Sequence, residues 1–413
     1  MLSKLLKRQS AWSLFDQCMV SGSNFISLTL LIRWLDNNTF SLYAIISMII
    51  IFFMSFQTAL IIAPTINFSS KLENESRTEY INHILMFQLF YGIIIIGITP
   101  LCYIILKSYQ WHVLSISTML FIAIFISLKL MHEFIRKYYY LDRSMKPVLF
   151  GDGILSVTFI TLIVLLYKLE LLTFKAIILS HIGALVLSLL CMFYHFKWEV
   201  TYLSKLKMYF IDHWKFGKWL LAKAIVQWWG SNYFILAAIY IYGQNVAGLI
   251  KSSQNIIGVI GIFFLALENF IPIRAAQAYH KNGILGLKKY LKRITVYGGL
   301  ITLTVSFLVL IFRKELVWYI YNNQNEELIE LLFWMSLMPI VTFIGLPIRI
   351  ALRTIDFTRP LFTSYLIVSI LSLIFAKPLV SSLGINAVAY GMIGSQAIMN
   401  IWCLYSFYRK LKK

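Results

Sequence analysis

Lys129, His132, Glu133 and Arg136 fall at positions i, i+3, i+4 and i+7, so a helix would place them on one face, with Lys129 able to pair with Glu133 and Glu133 with Arg136. Such a cluster can close a cytoplasmic gate as a latch or meet an anion at its mouth, and Arg349 belongs to the same class of candidate gate residues. Asp16 suggests different chemistry. It is a carboxylate within an apolar stretch, on a polar stripe with Ser13, Gln17, Ser23, Asn24 and Ser27. An ionised side chain at a membrane centre costs roughly 2.5–3.5 kcal/mol on insertion scales, so Asp16 needs a partner or water, and it is a candidate for coupling to a proton or sodium ion. Lys223, Gln227, Ser231 and Asn232 form a second stripe, and Lys251 with Asn255 a third; Gln396 and Asn400 continue the habit. With Asn24 and Arg33, the second and third groups are expected to line a wet cleft and bind substrate, the ammonium groups attracting an anion.

Motifs for other chemistry are missing. The chain has no Walker motif, dinucleotide fingerprint, HExxH or paired-cysteine metal spacing, and its four cysteines, Cys18, Cys102, Cys191 and Cys403, lie singly in apolar segments. No cofactor, metal or enzymatic reaction is expected.

These residues sit in an apolar chain. Of 413 residues 60% are hydrophobic and 13% charged, with mean hydropathy +0.77, where soluble domains carry about 45–50% and about 25%. Runs long enough to cross the bilayer recur at Ala11–Arg33, Phe40–Ile66, His83–Leu106, Trp111–Met131, Pro147–Tyr167, Leu172–Tyr194, Phe216–Ile241, Val246–Ile271, Ile294–Phe312, Leu328–Ile350, Leu361–Ala376 and Gly384–Phe407. The basic start with an apolar run resembles a signal peptide, but no small-residue cleavage site follows, so a retained first helix is expected. The net charge of +20 lies between the runs rather than on a nucleic-acid-binding face. About 27 lysines and arginines fall in the termini and even-numbered connections against about 7 in the odd-numbered ones, which predicts cytoplasmic termini. Two basic connections, Phe196 to Lys215 and Pro272 to Arg293, are expected to form interfacial helices. Pro339 and Pro347 should kink or loosen the tenth span.

The chain also repeats itself. Gly22-Ser23-Asn24-Phe25 recurs as Gly230-Ser231-Asn232-Tyr233, an offset of 230 − 22 = 208, and Pro64 matches Pro272 at 272 − 64 = 208. Arg136 precedes Lys146-Pro147 as Arg349 precedes Arg359-Pro360, at an offset of 213. The expected fold is therefore all-α: two parallel six-helix lobes, residues 1–195 and 216–413, joined by an amphipathic linker, 196–215, and related by an axis along the membrane normal. Such a body suits alternating access.

Asp16-Gln17, Ser21 to Phe25, Arg33-Trp34-Leu35 and Phe40-Ser41-Leu42-Tyr43 resemble the start of Wzx-type O-antigen flippases of the multidrug, oligosaccharidyl-lipid and polysaccharide (MOP) exporter superfamily. Ser41 and Asp36 depart from the glycines common there. The resemblance implies a MATE-like fold in the bacterial inner membrane and translocation of a polyprenyl-pyrophosphate-linked oligosaccharide from the cytoplasmic to the periplasmic leaflet. It implies membrane lipids, a polysaccharide polymerase, a chain-length regulator and a proton or sodium ion as partners. A multidrug exporter of the same fold is the main rival, although acidic cavity residues would be expected for cationic drugs. A membrane-embedded polymerase is the other; it should carry a large periplasmic loop, and the odd-numbered connections are short.

Overall fold

A computed structural model of the chain describes residues 2–108, 114–142, 144–199, 203–322 and 324–411. Among these every regular element is helical. Hydrocarbon offers no partner for a bare N–H or C=O, and a helix satisfies its own backbone. The helices are α1 (Leu2–Trp34), α2 (Asn37–Gln57), α3 (Ala63–Ser69), α4 (Asn74–Ser108), α5 (Ile116–Leu141), α6 (Met145–Lys168) and α7 (Phe174–Tyr194), followed by α8 (Leu203–Tyr242), α9 (Asn245–Ile311), α10 (Arg313–Tyr321), α11 (Glu326–Met335), α12 (Met338–Thr354), α13 (Arg359–Leu383) and α14 (Ala387–Leu411). A π-helical turn, Thr58–Ile62, joins α2 to α3 without a break.

Ten described segments are long and apolar enough to span a membrane. The other two expected spans fall on α1, which is 33 residues long but carries the Asp16 stripe, and on the first part of α9, which carries Lys251. Several boundaries differ from expectation, and in α5 the reason is that charges which find partners inside the protein do not end a helix. α5 runs ten residues beyond Met131, which places Glu133 and Arg136 within it. α8 is continuous from Leu203, so most of the expected linker and the seventh span form one helix. α9 runs through Pro272 and breaks only at Asn282 and Gly283, the latter at φ 58°. The connection from Arg313 contains α10, ended by Asn322 in the left-handed region. Pro339 opens α12 and Pro347 lies inside it.

Side chains cap several starts. Ser115, Thr173 and Asn325 accept from backbone amides three residues on. Asp36 Oδ2 accepts from the amides of Asn38 and Thr39, at 3.1 and 3.0 Å, at the start of α2. Asp36→Ala is expected to cost about 1 kcal/mol in thermal unfolding of the purified protein. The Thr39 side chain first, then backbone amides, hold the Asp36 carboxyl below its ordinary value of 3.8. A depressed folded-state value stabilises the protein above the unfolded pKa, and that gain is lost as pH falls through the folded value. The difference between wild type and Asp36→Ala should therefore shrink below about pH 4.

The chain packs as two units, Met1–Ser27 with Ile46–Ile225, and Leu28–Ile45 with Val226–Lys413. In the first, Tyr80, Ile84, Phe134, Ile135, Tyr139 and Met192 form a buried cluster. In the second, Leu287, Phe343, Ile350, Leu352, Met399 and Cys403 do the same. Lipid is as apolar as these side chains, so close packing rather than escape from water holds such clusters together.

Candidate functional site

In the first unit, α1, α5 and α6 bring charged residues from three stretches of sequence together, and α7 adds Ser188. Arg136 lies on α5 and its guanidinium reaches three carboxylates. Nη1 donates to Glu133 Oε1 and Oε2 at 3.1 and 3.3 Å, Nη2 donates to Asp16 Oδ2 at 3.2 Å, and Nε lies 2.8 Å from Asp152 Oδ2. The Tyr140 hydroxyl adds a 2.7 Å hydrogen bond to Asp16 Oδ2. Lys129 Nζ stands 3.9 Å from Glu133 Oε1. Asp16, His132 and Asp152 are at most 1% exposed, so water does not share the site with them freely.

His132 joins the network from one turn away. Its Nε2 is 3.0 Å from Ser188 Oγ and 3.3 Å from Asp152 Oδ1. Ser188 spends its own hydrogen on the Gly151 carbonyl at 2.7 Å, so its oxygen must accept from His132, which assigns the proton to Nε2. Nδ1 is then a bare acceptor, and it has no hydrogen-bond partner among the described residues. The same is true of Asp16 Oδ1, while Asp152 Oδ2 has the ion-pair contact with Arg136 Nε alone. A single guanidinium cannot satisfy three carboxylates fully, and an open buried oxygen remains beside it.

The structure thus unites Asp16 with Lys129, Glu133 and Arg136, which the sequence presented as separate candidates. Asp152, Tyr140 and Ser188 complete the site. Asp152 carried the same signal as Asp16, a carboxylate inside an apolar run, but its place about 10 Å into α6 needed the helix start at Met145 to be known. Tyr140 and Ser188 carried none.

The second unit holds the repeat of this site in altered form. Arg349 on α12 donates through Nη1 to Asn400 Oδ1 and through Nη2 to the Thr342 carbonyl, both at 3.2 Å. Asn400 is buried on α14 and also donates to the Val341 carbonyl at 2.6 Å. The helix pair is the one that joins His132 to Ser188 in the first unit, since 400 − 188 = 212 and 345 − 132 = 213. Gly345 takes the place of the histidine. A Cβ there would collide with the Asn400 side chain, so the glycine makes room for it. At the offset of 208 found for Gly22 and Pro64, Asp16 corresponds to Ala224, and at 213 Glu133 and Asp152 correspond to Leu346 and Tyr365. The arginine persists where all three matching carboxylates are gone.

The remaining sequence candidates are dispersed. Gln227 and Ser231 line a cavity of about 70 Å³ with Tyr365, Ser395, Gln396 and Met399. Lys223 is half-buried on the same helix, α8. Asn232 donates to Trp228 of its own helix at 2.8 Å. Asn24 is exposed on α1. Asn255 is buried and donates to the Tyr321 hydroxyl at 3.2 Å. Lys251 is half-buried one turn before it, and among the described residues no carboxylate lies within ion-pair distance. Arg33 donates to the carbonyls of Tyr319 and Ile320, so its guanidinium caps the C-terminal end of α10 instead of lining a cleft.

Residues 220–377 match the MatE family model. No curated protein matches the chain. Among solved structures the chain is similar to an inward-facing conformation of a multidrug resistance MATE family transporter of the MOP superfamily, at 15% identity and TM-score 0.68, over 97% of this chain and 94% of that one. It is similar to an outward-facing conformation of such a transporter at 15% identity and TM-score 0.66, covering 97% and 95%. A MOP superfamily transporter from Pyrococcus furiosus Vc1, described by a reversed polarity of its binding pocket that suggests a different function, aligns at 15% identity and TM-score 0.60 over 99% and 94%. The chain has the two-lobed, all-helical MATE fold.

Proposed function

We propose that this chain is an ion-coupled transporter that moves a polyprenyl-pyrophosphate-linked oligosaccharide across the membrane by alternating access. The observation that carries the coupling is the buried network of the first unit. Its three carboxylates, Asp16, Glu133 and Asp152, face two permanent cations, Lys129 and Arg136, a balance of 2 − 3 = −1 with His132 neutral. A buried surplus charge is costly, and a proton or a small cation relieves it. Such a site can load and unload as its access changes. The Asp16 oxygen without a hydrogen-bond partner, Oδ1, is the open position.

The substrate reading draws on the second unit. Arg349 without its three matching carboxylates, together with Lys251, gives that unit a cationic interior suited to pyrophosphate, and Gln227, Ser231 and Gln396 suit sugar hydroxyls. A multidrug exporter shares the fold, and the similarity to multidrug resistance transporters favours it; the cationic second unit argues against cationic drugs. Similar structures in inward- and outward-facing conformations support alternating access as the mode of transport. The resemblance of the first two helices supports a bacterial inner membrane setting, with a polysaccharide polymerase and a chain-length regulator acting on the product.

Complementation of a flippase-deficient strain, scored by surface polysaccharide, tests the assignment. Restored polysaccharide supports it, while drug resistance without polysaccharide supports the exporter. Lys251→Ala and Lys223→Ala should each reduce surface polysaccharide with abundance near wild type. The topology is tested by single cysteines probed with an impermeant reagent: Lys207→Cys and Lys281→Cys should react only from the cytoplasm, and Ser382→Cys from the periplasm. A periplasmic signal at Lys207 would overturn the twelve-span arrangement.

A further inference from the structure

The first unit also contains a cavity that the coupling network does not use. It measures about 510 Å³, within the range of roughly 300–1,000 Å³ usual for ligand sites, and lies between the end of α2 with its π turn, α4 and the first part of α8. Phe56, Phe87, Phe90, Phe210 and Trp214 supply aromatic walls, and Lys207 is the only charged residue of the lining among the described residues. Phe90 and Phe210 are 54% and 60% exposed, so the cavity opens along the lipid-facing side of the protein. It has the character of a groove for an apolar chain, with a cation on its wall.

Two features set this groove apart from any hollow that bulk lipid would fill. The π turn Thr58–Ile62 supplies Leu60 and Ile61 to its wall, and such turns, which cost hydrogen-bond regularity, occur often at functional sites. The turn is held from α8, where the His213 ring bonds the Leu60 carbonyl at 3.0 Å and Gly217 packs against the Ala59 carbonyl so closely that a Cβ would stand 2.7 Å from it. The second feature is Gln57. It lines the groove and is 1% exposed, and its amide donates to the Leu130 carbonyl at 2.6 Å and to Gln88 at 2.7 Å. Leu130 lies on α5 between Lys129 and His132, so the groove wall is joined by one hydrogen bond to the helix of the coupling site. A bilayer lipid that is always present would tell that helix nothing. The tail of a transported lipid would report that cargo has arrived.

We propose that this groove seats the polyprenyl tail of the transported lipid, near its phosphate end, with Lys207 meeting the phosphate. The inference rests on the lipid-linked reading of the substrate and adds where its tail binds. Lys207 stands on the lysine-rich side, where the headgroup of a lipid made in the cytoplasm lies. Phe210 and Trp214 follow on α8 at i+3 and i+7, about 10 Å farther along the helix by the latter, and give the isoprenoid chain an aromatic wall.

The probe is a long-chain polyprenyl monophosphate carrying a photoreactive group on its chain, added to the purified full-length protein in detergent. It should label peptides of α4 and α8 that line the groove, saturably, with phosphatidylglycerol at tenfold excess failing to displace it. Lys207→Gln should weaken binding by about tenfold and leave binding of the uncharged polyprenol unchanged. Leu60→Trp, which fills the groove from the π turn, should abolish labelling, and Phe87→Trp provides the same test where the first variant does not fold. Displacement by equal phosphatidylglycerol, labelling outside the groove, or no effect of Lys207→Gln would overturn the proposal. The two readings fail separately: complementation with an unlabelled groove removes only the tail site, whereas groove labelling without complementation removes the flippase assignment.

Discussion

Arg136→Leu should nearly empty the membrane of folded protein. The substitution removes the one group that touches Asp16, Glu133 and Asp152 together and leaves three carboxylates buried against Lys129 alone. Breaking a buried ion pair by deleting one partner costs about 3–5 kcal/mol because the stranded charge remains, and here two, Asp16 and Asp152, lose their only cation. Proton uptake by those carboxylates offsets part of the cost, so the loss should be milder in acid. Arg136→Lys keeps a point charge but cannot fork toward three partners, and should fall between the two. Membrane abundance and the unfolding temperature of detergent-purified protein measure both variants. An abundant, stable Arg136→Leu protein would mean that the network is not charged as drawn.

Asp16→Asn should do the opposite: protein present, transport lost. The asparagine oxygen can still accept from Arg136 Nη2 and the Tyr140 hydroxyl, so the local packing survives. What goes is the titrating group, and with it the surplus negative charge, since two carboxylates then balance two cations. If the surplus is what loads the coupling ion, gradient-driven transport should drop by about 5–150-fold, the span of typical coupling energies, while abundance stays near wild type. Flipping measured in vesicles with and without an imposed gradient separates coupling from folding. A well-expressed Asp16→Asn protein that still responds to the gradient would move the coupling site elsewhere.

Much of this architecture was legible in the sequence because hydrocarbon imposes it. Apolar runs of spanning length had to be helices, and the repeat at Gly22 and Gly230 and a disturbance of the tenth span at Pro339 could be read without coordinates. Ends were harder. Met131 looked like the end of a span because charged residues follow it, but those charges are paired and buried, and α5 continues to Leu141. The Arg313 connection looked like a loop, yet its apolar residues Val317 and Tyr321 pack inward from a helix. For the site, composition singled out Asp16 and the Lys129 to Arg136 face as unusual but could not say that they meet. That depended on how α1 packs against α5, and no local pattern encodes it. Arg33 shows the converse error: an arginine at a helix end drew a functional reading, while its role is to bind the end carbonyls of another helix.

The π turn at Thr58–Ile62 has a geometric consequence for α2. A turn closed by i to i+5 bonds holds one residue more than an α-turn, and that residue amounts to about 100° of rotation and about 1.5 Å of advance along the axis. Were the turn to relax to α-geometry, everything before it, from Asn37 to Gln57, would have to screw by that amount relative to α3. Gln57 would then swing away from Leu130 and Gln88, while Pro64 beyond the turn stayed where it is. The extra residue of the turn therefore sets the register of α2 against α3, and the His213 contact with Leu60 braces the turn that sets it.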